Sequence, residues 1–215
     1  MGRKKIKVVM LGEGRVGKTS LLHRFVHNSF DEECKSTTKA TMYANTKMEV
    51  GGTVADVSIW DTAGQERYHA LGPIYYRDAH GAVLAYDITD KDSFDRVKVW
   101  LKELHQVVGE NISVVVVGNK VDMERERKVD KSHAEEWAAS HNAQHFHCSA
   151  KLGIKVNDAY TALVTSIVNA SKAASPESSH RESLSRGPSP PAPRNKGVKI
   201  AMDEPIREQK KDCKC

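Results

Sequence analysis

No stretch of this chain stays apolar over the ~20 residues that a helix needs to cross a bilayer, so a membrane-spanning helix is not expected. The basic start, Met1 to Lys7, is not followed by the apolar segment of a signal peptide, so secretion is not expected either. Cysteine is scarce and unevenly placed. Of four, Cys213 and Cys215 fall in the last three residues, Cys34 in an expected loop and Cys148 in an expected strand. That is no disulfide framework, and it points to a reducing compartment. Two glycosylation sequons, Asn111-Ile112-Ser113 and Asn169-Ala170-Ser171, would go unused there. Gly2 lacks the Ser or Thr at position 6 that myristoylation requires.

Aromatic residues are also sparse, at 6%, and none follows Tyr160. Six of the seven prolines lie beyond Ser171. Residues 172–215 therefore cannot bury enough apolar surface to offset the entropy of ordering them, and they read as a disordered tail. Residues 1–171 read as one domain. An excess of one charge sign is missing from that domain. The formal charge of the chain is +5, but the tail alone holds ten basic and six acidic residues. The body is nearly neutral, which argues against a nucleic-acid-binding domain. In the tail, acids are interleaved with bases, so charge is only a helper in any membrane contact.

Within the body, strand-like and helix-like patterns alternate, as in an α/β fold. Strands are expected at 6–11, 46–50, 54–60, 81–86, 114–117 and 145–148. Helices are expected at 18–27, 68–77, 93–108, 132–140 and 156–170. Gly51-Gly52 between two strand patterns signals a two-residue hairpin.

The stretch Gly12-Glu13-Gly14-Arg15-Val16-Gly17-Lys18-Thr19-Ser20 leaves a strand and opens a helix. It spells both the dinucleotide fingerprint GxGxxG and the phosphate-binding loop GxxxxGKT. Either one puts backbone N–H groups and a helix N-terminus on phosphate. The Lys-Thr pair favours a mononucleotide: Lys18 supplies a cation for the β- and γ-phosphates, and Thr19 a hydroxyl ligand for Mg²⁺. Asp61, at the end of the strand closing on Trp60, can hold the hydration shell of that ion. Gly64 can offer its N–H to a γ-phosphate, and Gln65 can orient a water. Asn119-Lys120-Val121-Asp122 follows another apolar strand. Asp122 can accept the N1 and N2 hydrogens of guanine, a donor pair adenine lacks, and the Lys120 stem can lie on the base. Ser149-Ala150-Lys151 follows the last strand, and the Ala150 N–H can reach guanine O6.

Taken in order, these segments resemble the Ras superfamily of small GTPases. Trp60 to Glu66, Arg67-Tyr68, Tyr75-Tyr76-Arg77 and the Cys213-Lys214-Cys215 ending resemble its Rab branch. The Arg67-Tyr68-His69-Ala70-Leu71 and Gly72-Pro73 stretch is most similar to early-endosomal Rabs. The resemblance implies a P-loop NTPase G domain, a six-stranded sheet with one antiparallel strand flanked by five helices. It implies a switch between GTP-bound and GDP-bound states that recruits effectors and regulates endosomal vesicle traffic. Phe30 would stack on guanine, and Thr38 would bind Mg²⁺ and close over the γ-phosphate, with Thr37 in reserve. Tyr43, Trp60 and Tyr75 would report the nucleotide state to effectors. Cys213 and Cys215 would carry two geranylgeranyl groups, tethering a monomer to the cytoplasmic face of intracellular membranes alongside a soluble pool. Partners would be an exchange factor, a GTPase-activating protein, effectors, and an escort protein or GDP-dissociation inhibitor, with no nucleic acid. Lys39-Ala40 departs from the usual switch pattern and bears on effector choice.

Two readings remain beside this one. A guanine-nucleotide scaffold with little hydrolysis would not need Thr19, Asp61 and Gln65. An NAD-linked oxidoreductase would leave Lys18-Thr19 and Asn119 to Asp122 unexplained. His23 and His27 lie one helical turn apart, and His145 and His147 alternate on a strand. With no third ligand apparent, both pairs read as surface or packing residues.

Overall fold

The computed structural model describes residues 2–32, 41–62 and 75–174, except for the side chains of residues 2, 41–43 and 174. They belong to the first of the two units into which the chain divides, Met1–Pro176. The second, Glu177–Cys215, lies outside the described residues.

Six strands form one sheet: β1 (Gly2–Leu11), β2 (Thr41–Val50), β3 (Thr53–Asp61), β4 (Gly81–Asp87), β5 (Ser113–Asn119) and β6 (Gln144–His147). Their order is β2-β3-β1-β4-β5-β6, and only β2 runs antiparallel to its neighbour. The helices α1 (Lys18–His27), α2 (Lys91–Val108), α3 (Lys131–Ser140) and α4 (Val156–Ala174), with a 3₁₀ segment at Val121–Glu126, complete the elements bounded within the described residues. The helix expected at 68–77 lies mostly outside them, although Tyr75 and Tyr76 are helical.

The alternation along β1 explains the layering. Ile6, Val8 and Met10 point to one face, where Leu21 and Leu22 of α1 and Tyr160, Leu163 and Ile167 of α4 cover them. Val9 and Leu11 point to the other, beneath Phe94, Val97 and Trp100 of α2 and Ala134 of α3. Strands covered on both faces have no polar face to show, so β4 is buried throughout.

Two strands begin four or more residues before their hydrophobic patterns. β1 starts at Gly2 and β2 at Thr41, and backbone pairing with β3, from Gly2↔Thr53 and Thr41↔Asp61, sets those starts. The hairpin forms as expected. Gly51 and Gly52 have φ of 54° and 74°, and the two positive values define the turn that closes Val50 onto Thr53. α4 runs to Ala174, four residues past its expected end.

The loop after β1 leads through α1 to β2, while the chain after β3 crosses to β4 on the far side of β1. Connections leaving adjacent strands in opposite directions open a crevice at their carboxyl ends. The segment Gly12–Gly17 and Asp61 sit at that crevice.

Candidate nucleotide-binding site

The loop over the crevice owes its shape to glycine. Gly12 has φ of 139°, and a Cβ there would sit 2.1 Å from the Ala85 carbonyl oxygen. Gly17 has φ of 92° and forms the N-cap of α1 without a side-chain hydrogen bond. No acidic residue occupies the first turn of α1, so its N-terminus keeps its partial positive charge for an anion.

Lys18 is the charge at this loop. It is only 6% exposed, and its Nζ donates to the carbonyl oxygens of Gly12, at 2.7 Å, and Glu13, at 2.9 Å. Burial pushes its pKa down to about 8, against the opposing pull of Asp61 and Glu13. The loop therefore folds around a cation solvated by backbone carbonyls. Arg15 and Gly14 are exposed at the rim, Val16 is buried, and Ser20 is half-buried. Glu13 is held outward by Arg96 of α2, at 3.0 Å.

Beneath Lys18, the Thr19 hydroxyl donates to Asp61 Oδ2 at 2.6 Å. Asp61 is 1% exposed. The neighbouring Thr62 hydroxyl donates to the Met10 carbonyl, pinning the end of β3 to β1. A buried carboxylate and a half-buried hydroxyl, both hard oxygen donors beside a phosphate loop, suit a Mg²⁺ ion.

The base loops converge from the next strands. The Asn119 side chain donates from Nδ2 to the Val16 carbonyl at 2.9 Å and accepts the Ala150 N–H at 3.1 Å. One buried amide thus ties the phosphate loop to the loop after β6. Lys120 adopts a left-handed backbone conformation, φ 69°, and its Nζ pairs with Asp87 Oδ2 at 2.6 Å. Asp122 is exposed, and its Oδ1 accepts the hydroxyl of buried Ser149 at 2.6 Å. Lys151 forms an exposed pair with Glu32 at 2.8 Å.

Sequence reasoning missed two supports. Asp87 anchors Lys120 and at the same time accepts from the N–H and hydroxyl of Thr89. Arg24, in the last turn of α1, donates to the carbonyls of Ala150 and Lys151 at 2.8 and 2.7 Å. An acid ending a buried strand was the only signal for the first, and nothing local signals the second.

Elsewhere, Phe30 is half-buried against the core that includes α1 and α4. Trp60 and Tyr75 meet at 6.4 Å between ring centroids, with the Lys7 ammonium 5.0 Å over the Trp60 ring. The Tyr43 side chain, Thr37, Thr38, Gly64 and Gln65 lie outside the described residues, as do Cys213 and Cys215. His23 and His27 pack ring against ring at 4.8 Å, as residues on one helical face do.

Fold and site define a P-loop nucleotide-binding protein, with the phosphate loop and two base loops held as one unit. The Ras family model matches residues 7–169. Ras-related protein Rab-21 of Bos taurus is 45% identical over 93% of this chain and 86% of its own length. The protein of the same name in Dictyostelium discoideum is 44% identical over 77% of both chains. The GTP-binding protein ypt5 of Schizosaccharomyces pombe is 37% identical over 97% of this chain and 93% of its own. The chain belongs to the Ras family, within its Rab branch: it is a small GTPase of membrane traffic that binds guanine nucleotide and hydrolyses GTP.

Proposed function

We propose that the chain is an endosomal GTPase switch whose nucleotide is held by Gly14 to Ser20, Phe30, Thr38, Asp61, Gly64, Asn119, Lys120, Asp122, Ser149, Ala150 and Lys151. The observation that carries this reading is the Asn119 amide. By bonding both Val16 and Ala150, it fixes the distance between the phosphate loop and the base loop. A ligand bridging them needs phosphate at one end and a purine at the other.

Thr19, Asp61 and Thr38 would hold Mg²⁺, which supplies neutralising charge for the phosphates. Phosphoryl transfer to water asks the protein chiefly for position and charge. Lys18 and the loop N–H groups meet the growing negative charge, and Gln65 orients the water. Arg15 is exposed and Arg96 is engaged with Glu13, so neither is placed as an arginine finger. Unaided turnover is therefore slow, and an activating protein supplies the arginine in trans. Residues around Tyr43, Trp60 and Tyr75 form the effector surface, and the Trp60–Tyr75 ring contact supports that grouping. The chain beyond α4 acts as the tether to its two terminal cysteines. Geranylgeranyl groups on Cys213 and Cys215 give the two-chain anchor that stable membrane attachment requires. A monomer of this kind also engages an exchange factor and an escort protein or dissociation inhibitor.

Denaturing the purified protein and identifying what it releases tests the reading. GDP or GTP at one per chain is expected, and an adenine or nicotinamide nucleotide overturns it. In a second test, Gln65→Leu lowers the rate stimulated by an activating protein by about a hundredfold or more, with GTP affinity unchanged. Single-turnover phosphate release measures this, and hydrolysis at the parent rate removes Gln65 from the water site.

A further inference from the structure

The fold brings the histidines of β6 the third residue that their sequence spacing did not reveal. His145 and His147 lie two apart on an edge strand, with ring centroids 4.5 Å apart. Glu135, on α3, reaches across to them, and its Oε1 is 3.1 Å from His147 Nε2. One ligand atom from each of the three residues lies within 4.8 Å of the other two. Both Nδ1 atoms are buried without a hydrogen-bond partner among the described residues. A buried nitrogen without a partner calls for an explanation, and at His145 Nδ1 a bound ion supplies one.

We propose that Glu135, His145 and His147 form a binding site for a zinc-class divalent cation, separate from the magnesium site at the nucleotide.

Two imidazoles and a carboxylate are a zinc donor set, with a fourth position left to water. Tetrahedral zinc with bonds near 2.1 Å places its ligand atoms roughly 3.4 Å apart. The Glu135–His147 pair already meets that spacing. Glu135 is exposed, so its side chain is free to turn toward the ion, and its side of the site is open to solvent.

Tyr86 supplies the outer support. Its hydroxyl lies 3.0 Å from His145 Nε2, so an Nε2–H donated to that oxygen leaves the Nδ1 lone pair for a metal. Burial, with smaller contributions from His147 and Arg127, lowers His145 to about 3. Burial and then Arg127 lower His147, against the pull of Glu135. The nearby cations are already engaged: Arg127 and Lys131 both pair with Glu124, at 2.7 and 2.8 Å.

The test is a calorimetric zinc titration of the full chain, GDP-loaded in excess Mg²⁺, with Cys213→Ser and Cys215→Ser removing the terminal thiols. One saturable site is expected. Glu135→Gln and His147→Gln each weaken it by about tenfold or more, and His23→Gln leaves it unchanged. Glu135 is a surface residue, so its variant keeps the fold, and retained GDP verifies this. Equal zinc affinity in the parent and Glu135→Gln overturns the proposal, as does the lack of a saturable site in the parent.

Discussion

Lys18→Met weakens guanine-nucleotide binding by about two to four orders of magnitude. Methionine keeps the apolar stem and removes only the ammonium. In the protein, that ammonium sits among carbonyl oxygens of Gly12 and Glu13 and is 6% exposed. Its water has already been removed, so it meets phosphate without a further desolvation cost. A hydrogen bond to a charged group contributes about 1.5–3 kcal/mol, and two to phosphate oxygens about 3–6. At 1.4 kcal/mol per tenfold, that is the stated loss. Displacement of a fluorescent GDP analogue measures it, and a loss of only a few-fold removes Lys18 from the phosphates.

The same residue predicts a pH dependence. Its folded pKa is about 8 against an ordinary 10.5. Below about pH 8, folded and unfolded chains both carry the proton, and the cost of burying the charge is fully present. Between about 8 and 10.5 the unfolded chain binds more protons, so this group's contribution to stability rises with pH. The rise is about 3 kcal/mol to order of magnitude. Denaturant unfolding of the nucleotide-free parent and Lys18→Met, compared over that range, should show the parent gaining on the variant. A constant difference would mean the lysine is not held as a buried cation.

Asp122→Asn changes which base is bound. A carboxylate offers acceptors only, matching the two donors on the N1–N2 edge of guanine. Asparagine turns one acceptor into a donor, which then faces a donor. The lost charged bond and the clash together cost about 3–5 kcal/mol, or two to four orders of magnitude in GDP affinity. A purine with a carbonyl at position 2 accepts that new donor, so xanthosine diphosphate gains while GDP loses. The Ser149 hydroxyl holds Asp122 Oδ1 at 2.6 Å, so the side chain is oriented before the base arrives. Competition between the two diphosphates measures the exchange. Parallel loss of both would mean that Asp122 supports the loop without reading the base.

Much of this site was legible because its parts are local. A phosphate loop needs a strand end, glycines for positive φ and a helix start, all within a few residues of Gly12. The Asp61 and Asn119 segments likewise announce themselves by following apolar strands. The early starts of β1 and β2 were illegible because their pairing with β3 sets their extent.

From its residues alone, the chain determined its division into an aromatic-bearing body and a proline-rich tail, its alternating α/β order, and the chemistry of each nucleotide motif. These depend on neighbours in sequence: hydrophobic period, turn chemistry and composition. Only the tertiary structure decided that Asn119 joins Val16 to Ala150, that Arg24 holds the loop after β6, and that Glu135 meets His145 and His147. Those contacts join residues from different strands, helices and loops. Their geometry follows from how the sheet orders its strands and where the helices cross it, which no local pattern encodes.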